Sequence, residues 1–405
     1  MKSEKWKVKV CISRSLNRNS KIVNLNSKIK KMKSLFKILF VAIITISVSS
    51  FTNIRKTEKS NISANPDSTK SESELPNYAE NYDYFRMMFY NAENLFDTFD
   101  DTLKNDESFL PEGQNYWTWS KYTKKIQNIC KVITAVGGWN PPAIVGLCEI
   151  ENRYVLEGIT QHTPLKKHNY QVIHFESPDK RGIDVGMLYL KSKFSPISAR
   201  PIRITFPFAP THKTRDVLYV KGVTFKQDTI HIFINHWPSK YGGAMETVPS
   251  RNYVGDVVKE ICDSISKAEP RANIFITGDL NDGVEAECVK DHLDARITYD
   301  NPRANKLYNL SYYLEKVKGM GSHKFQGEWS IIDHLIVSGA MLDKKSKVYT
   351  TLDDAHIFNA DFLMEKDEGN YGYKPFRTYI GMKFNDGFSD HFPVFIDLHR
   401  NTEVK

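Results

Sequence analysis

Cysteine is scarce in this chain and badly spaced for metal work. Of five cysteines in 405 residues, Cys130, Cys148, Cys262 and Cys288 lie beyond the N-terminal region, and none forms a CxxC pair, which argues against a zinc site. Four cysteines in an exported chain permit disulfides without fixing their pairing; the apolar surroundings of Cys148 and Cys262 fit packed thiols better. A bilayer-spanning apolar run is also missing. Ile38 to Val48, broken by Thr45 and Ser47, is short for a span. Lys30, Lys31, Lys33 and Lys37 precede it and Ser49 and Ser50 follow, the layout of an export signal. Met32 would be a natural start for it, and the expected location is periplasmic or extracellular, with an uncleaved membrane anchor as the alternative. No cysteine follows the apolar run, so a lipid-modified N-terminus is not expected.

Positive charge is lacking where a nucleic-acid reading would want it. The net charge is +8, but residues 1–51 contribute +11, so the remainder carries −3. A strong overall attraction for polyanions is therefore excluded for the folded part, while a local cationic patch is not. No internal repeat is visible. From Thr52 to about Tyr82 the chain is Ser, Asn, Lys and Glu with little apolar content, and reads as a disordered tether. An apolar content of 40% with 12% aromatics then supports one domain over residues 83–400.

What is present is a set of buried-strand patterns that end on polar residues. The central one is Asn273 to Asp282, NIFITGDLND. Ile274 to Thr277 reads as a strand, Gly278 turns the backbone, and Asp279, Asn281 and Asp282 follow. Two acids and an amide so close suit a hard, oxygen-binding cation such as Mg²⁺; the plainer alternative is an Asx-type turn. The arrangement recurs. Arg86 to Tyr90 ends at Asn91, Ala143 to Cys148 ends at Glu149, and Thr229 to Asn235 ends at His236. Ser330 to Val337 contains Asp333, and Asp390 and His391 precede a strand over Phe392 to Leu398. Further strands are expected over 170–175, 183–190 and 217–225, and helices over 122–136 and 252–266. Without a regular βα repeat, mixed sheets with helices outside fit better than a doubly wound sheet.

If several strands end on one edge, these carboxylates, amides and imidazoles converge. The set has no serine or cysteine nucleophile, so it points to metal-assisted attack of water on a phosphate ester. Packed carboxylates repel one another, and a cation would justify their proximity.

Asn91 in FYNAENLFD, Glu149 in VGLCEIEN, His236 in FINHWPSK, GDLND, IIDHLIVS and FSDHFPV occur in an order and at separations that together resemble the endonuclease/exonuclease/phosphatase superfamily, of deoxyribonuclease-I-like fold. The resemblance covers nearly all of 84–398. It implies an α/β fold, a four-layer α/β sandwich of two mixed β-sheets packed face to face with helices outside. It further implies that Glu149 is the principal Mg²⁺ ligand, with Asn91 and Asp390 assisting, and that Mn²⁺ can substitute. Asp279 would orient the attacking water or bind metal, and Asn281 would hydrogen-bond a phosphate oxygen. His391 would be general base or phosphate contact with its tautomer fixed by Asp333, and His236 would stand near the leaving group. A carboxylate beside an imidazole raises its pKa and fixes its orientation.

Arg181 and Asp184 sit in or beside an apolar strand. A buried Asp needs a partner; His236 is the expected one, with Arg181 facing phosphate, and a local Arg181–Asp184 ion pair is the alternative. Arg215 is a further cationic candidate. Trp237 either stacks on a base or sugar or caps the core. Two departures from the family pattern stand out. Cys148 occupies the place where many members have Gln, and His334 follows Asp333 where the nuclease branch often has Tyr; a packed structural role suits His334. The expected activity is a monomeric phosphodiesterase, with nucleic acid favoured as substrate over a phospholipid or phosphorylated small molecule. An inactive binding module on the same scaffold is the remaining alternative.

Overall fold

The computed structural model describes residues 84–224 and 228–401. The expected export signal and tether lie outside the described residues. In chain order the strands of the first half are β1 (Phe85–Leu95), β2 (Ile144–Ile150), β3 (Tyr170–His174), β4 (Asp184–Leu190), β5 (Phe194–Ile202), β6 (Val217–Thr224), β7 (Thr229–His236) and β8 (Asn273–Asp279). Those of the second half are β9 (Ala295–Arg296), β10 (Leu307–Asn309), β11 (His323–Phe325), β12 (Glu328–Ser330), β13 (Asp333–Ser338), β14 (Val348–Tyr349) and β15 (Ala355–Ile357). Three short segments, β16 (Met364–Lys366), β17 (Tyr373–Pro375) and β18 (Tyr379–Ile380), precede β19 (Lys383–Phe384) and β20 (Val394–Arg400). The helices are α1 (Trp119–Gly137), α2 (Arg153–Gln161), α3 (Val248–Ala268) and the short α4 (Leu310–Lys316).

Two seven-stranded sheets form the body. The first runs β14-β20-β1-β2-β4-β3, with β15 also on β20; the second runs β5-β6-β7-β8-β13-β10-β9. Both are mixed, since β1 and β2 pair in parallel, as do β7 and β8, amid antiparallel neighbours. Side chains alternate faces along a strand, and the second sheet uses both. Leu218, Val220, Ile230, Ile232, Ile234, Phe275, Leu335 and Val337 share one core with the first sheet. Their neighbours Val217, Tyr219, Phe233, Ile274, Ile276 and Ile336 pack outward with Val254, Val258 and Cys262 of α3. Helix α1 places Ile126, Ile129, Cys130 and Ile133 at helical spacing in the core of the first sheet. The four-layer sandwich is therefore the observed architecture. Among the described residues no helix is long and apolar enough to cross a membrane.

Candidate active site

Adjacent strands of the second sheet bring three polar residues to one level. His236 ends β7 opposite Asp279 of β8, and Asp279 faces Asp333 at the start of β13. Gly278 makes this close row possible: its φ is +148°, and a Cβ there would lie 2.3 Å from the carbonyl oxygen of Asn235. Across the sandwich, Asn91 of β1 pairs with Cys148 of β2. Beyond them the ladders slip, at 91–95 in β1 and at 148–150 in β2. Such irregularities re-aim side chains, and here they turn Glu149 toward Asn91. Glu93, Asn94, Glu149 and Asn281 all have positive φ, between 49° and 56°. That conformation is uncommon for residues with a side chain, so four such residues around one cleft mark where the fold gives up local comfort.

The groups meet at one carboxylate oxygen. Asp279 Oδ2 accepts a hydrogen bond from Asn91 Nδ2 at 3.0 Å and lies 3.8 Å from both His236 Nε2 and His391 Nε2. Asn91 Nδ2 also reaches Glu149 Oε1 at 3.3 Å, and the backbone N–H of Asn94 donates to Glu149 Oε2 at 2.9 Å. His236 Nε2 is 3.8 Å from Glu149 Oε1. Thus Asn91, Glu149, His236, Asp279, Asp333 and His391 share one site. Burial, opposed by His391 and reinforced by Asp333 and Glu149, pushes Asp279 up to about 7. Burial, with the charges of Arg215, Arg181 and His391 adding to it, holds His236 well below its ordinary value.

His391 goes the other way. Burial alone would lower it, but Asp333 and then Asp279 and Asp390 outweigh this and raise it well above the ordinary histidine value. Its Nδ1–H donates to Asp333 Oδ2 at 2.8 Å, which leaves Nε2 facing Asp279, with Asp390 Oδ1 at 3.9 Å. The buried Ser322 hydroxyl donates to the same Asp333 oxygen at 2.7 Å.

Asp390 is held by Arg377, whose Nη2 donates to its Oδ2 at 3.0 Å. Arg377 Nε also reaches Glu93 at 3.1 Å, and Lys125 Nζ lies 3.9 Å from Glu93. The sequence reading missed Arg377, Glu93, Lys125 and Ser322. Glu93 had a local signal, two positions past Asn91; Arg377 had none, since its partners lie 13 and 284 positions away and it sits in a stretch without a strand or helix period.

Three expectations need correcting. Asp184 does not pair with His236: its Oδ2 meets His174 Nε2 on the neighbouring strand at 3.2 Å, and its Oδ1 accepts from the backbone N–H of Ser177. Neither is it in an ion pair with Arg181, which is exposed and acts on the site through its charge on His236. Trp237 is no stacking platform. It is fully buried in the α3 side of the core, and its indole N–H donates to Asn235 Oδ1. Arg215 is buried rather than offered to ligand: its Nη2 donates to the Trp237 carbonyl at 2.6 Å, and Nη1 lies 3.4 Å from Asp179. Asn281 Nδ2 donates to that same carbonyl at 3.0 Å, so Arg215 and Asn281 together fix the turn beyond β7. His334 is a packed residue as expected, with Nε2–H donating to the Asp282 carbonyl and Nδ1 accepting from Asn309.

The donor set fits a hard divalent cation. Glu149 and Asp279 supply carboxylate oxygens that converge on one amide, and Asp279 is a buried acid whose proton affinity burial and the neighbouring carboxylates have raised despite His391. Oxygen ligands of this kind suit Mg²⁺ or Mn²⁺. Cys148 adds nothing to a hard-ion site, because burial holds its thiol well above the ordinary value and so protonated.

No curated protein matches the chain. Among solved structures, the catalytic domain of human Nocturnin is 16% identical with a TM-score of 0.46, over 78% of this chain and 95% of that one. A humanized D. rerio TDP2 is 15% identical with a TM-score of 0.48, over 78% and 99%. An endonuclease/exonuclease/phosphatase family protein from Bacteroides thetaiotaomicron is 15% identical with a TM-score of 0.44, over 78% and 97%. Likenesses at this level decide nothing about substrate. The model of the Endonuclease/Exonuclease/phosphatase family, by contrast, matches residues 86–400, which takes in both sheets and every residue of the site. This chain belongs to the Endonuclease/Exonuclease/phosphatase family, whose chemistry is the hydrolysis of phosphate esters.

Proposed function

We propose that this protein is a divalent-cation-dependent phosphodiesterase that cleaves nucleic acid outside the cytoplasm. The observation that carries the reading is the meeting of Asn91, His236 and His391 on a single oxygen of Asp279, with Glu149 bridged to it by the same amide. Glu149 and Asp279 would hold Mg²⁺ or Mn²⁺, with Asn91 and Asp390 beside them. When bound, the cation supplies charge neutralisation at the phosphate and a lowered pKa for bound water.

The chain's own residues account for the rest. His391 is cationic at neutral pH and holds its proton at Nε2, aimed into the site, where it can donate to a phosphate oxygen. Asp333 stabilises that charge and fixes the ring's orientation. Asp279, whose Oδ2 lies between the two imidazoles, would orient the attacking water. His236 is neutral and stands on the far side of Asp279 from His391, in position to serve the leaving oxygen. Asn281, tied to the Trp237 carbonyl by one N–H, has its second N–H for phosphate. The exposed Arg181 supplies a cationic charge at the rim. The basic, then apolar, N-terminal stretch supports export.

A second reading, hydrolysis of a phospholipid head group, draws on the aromatic side chains beside the site. Phe325 on the β11–β12 hairpin and Tyr371 and Tyr373 at the β16–β17 hairpin are largely exposed, and β11 forms a bridge with His391 through His323. A panel of DNA, RNA, sphingomyelin, inositol phosphates and bis-nitrophenyl phosphate separates the two. Cleavage of DNA or RNA that is lost in Glu149→Ala and His391→Ala is expected. Selective cleavage of the lipid would replace the first reading with the second, and near-wild-type turnover in either variant would remove the proposed machinery.

A further inference from the structure

Cys148 is a nucleophile-bearing residue that the proposed reaction leaves unused. It is fully buried on β2, where the sandwich packs β2 against the ends of β7 and β8. One ligand atom from each of Cys148, His236 and Asp279 lies within 4.8 Å of the others. The second observation concerns His236. Its side chain is 2% exposed, its Nδ1 is buried without a hydrogen-bond partner, and its Nε2 stands 3.8 Å from the nearest carboxylate oxygens, beyond hydrogen-bonding range. A buried imidazole left without hydrogen bonds costs stability and is a ligand in waiting.

The three donors are a sulfur, a nitrogen and an oxygen. That combination is foreign to Mg²⁺ and matches the borderline-soft ions, for which thiolate, imidazole and carboxylate ligands sit at about 2.0–2.3 Å and three protein ligands leave a fourth position open. The oxygen-rich set described above and this one share Asp279, so the two occupancies compete.

We propose that Cys148, His236 and Asp279 form a site for a thiophilic divalent ion of the Zn²⁺ or Cd²⁺ class, and that its occupation switches the enzyme off. As the sulfur–metal bond forms, the thiol proton leaves to solvent. Asp279 and His236 are then withdrawn from the phosphate. The binding claim stands apart from the reaction; only the inhibitory claim rests on the proposed function.

The test uses the full chain and two readouts. Titration with Cd²⁺ alone, without substrate, should give a thiolate-to-metal charge-transfer band that saturates at one ion per chain. The band should vanish in Cys148→Ala and in the near-isosteric Cys148→Ser, each checked for native circular dichroism. It should persist in Cys130→Ala, Cys262→Ala and Cys288→Ala. No band at equimolar Cd²⁺, or a band that survives loss of Cys148, overturns the site. In the second readout Zn²⁺ is titrated against Mg²⁺-supported hydrolysis. Cys148→Ser should raise the inhibitory Zn²⁺ concentration by at least about tenfold, the smallest loss expected when even an outer-shell partner is removed. Equal inhibition of wild type and variant overturns the switch. A Cys148-dependent band in a protein that hydrolyses none of the panel substrates would keep the site and reject the proposed function.

Discussion

Replacing Asp333 by Asn isolates one charge at the centre of the site. Asp333 Oδ2 accepts from His391 Nδ1 at 2.8 Å, and both side chains are almost wholly buried, at 1% and 6% exposure. The amide keeps the shape and can still accept the Nδ1–H, so the tautomer survives while the charge goes. An opposite charge at this distance raises an imidazole pKa by about 1–3 units, equivalent to about 1.4–4 kcal/mol. The variant should therefore lose most of the upward shift of His391, and the alkaline limb of its pH–rate profile should move to lower pH by a similar amount. Turnover at neutral pH should fall by about 10²–10⁴, the range for a positioned proton-transfer group. The sign for stability follows from linkage. A histidine whose folded pKa lies above its unfolded value of about 6.5 stabilises the fold fully below that pH and loses the contribution as pH rises through the folded pKa. Urea denaturation should then show the largest gap between wild type and Asp333→Asn near pH 6, narrowing at alkaline pH. Imidazole titration by NMR checks the same quantity directly. An unmoved His391 titration together with wild-type turnover would refute the reasoning.

Three further outcomes test the frame around the site. Asp397→Asn removes one charge from a buried bidentate pair with Arg86, at 2.6 and 2.7 Å; it should cost about 3–5 kcal/mol in urea denaturation without changing KM. Trp237→Ala empties a fully buried site and should cost about 3–5 kcal/mol, whereas a raised KM with unchanged stability would restore the stacking role that the structure denies it. Gly278→Ala forces a Cβ to within 2.3 Å of the Asn235 carbonyl at a φ of +148°; it should cost more than the roughly 1–3 kcal/mol of an unfavourable backbone conformation alone, and lower turnover because β7 and β8 part.

Strands with an apolar run and a polar stop were legible from local pattern. The runs ending on Asn91, Glu149, His236 and Asp279 all became strands, and the helices around Ile126 and Val258 formed where the 3.6-residue spacing put them. The strand Phe194–Ile202 was not legible. It carries Pro196 and Pro201 and mostly exposed or half-buried side chains, the features of an edge strand, and its register slips beside Pro196. The segment from 361 to 390 escaped for another reason: strands of two or three residues are too short to show a period. Arg377 lies there, so half of the ionic support under the site had no local signature. Asp184 was misassigned because a polar residue in an apolar strand announces a need for a partner without saying which. The answer came from strand order, which sets β3, and with it His174, beside β4.

The cation requirement has a signature that does not depend on turnover. Asp279 is a buried carboxyl raised to about 7, far above its unfolded value of about 3.9. An acid with a raised folded pKa keeps its proton when folded and loses it when unfolded, so between those two values stability falls as pH rises. Three pH units correspond to about 4 kcal/mol, and the raised His391 acts in the same direction at higher pH. A divalent ion bound by Glu149 and Asp279 reverses this, because it favours the ionised carboxyl and competes with the proton. Mg²⁺ at a hundred times its dissociation constant adds about 2.7 kcal/mol. In chelator, then, the protein should be distinctly less stable at pH 8 than at pH 5, with no hydrolysis. Added Mg²⁺ or Mn²⁺ should restore both activity and stability at pH 8 and do little at pH 5, where the proton holds the site. Thermal melts at the two pH values, with and without the cation, decide it. Equal stabilisation by Mg²⁺ at both would mean that the ion binds somewhere other than Asp279, and hydrolysis in excess chelator would mean that the reaction needs no ion at all.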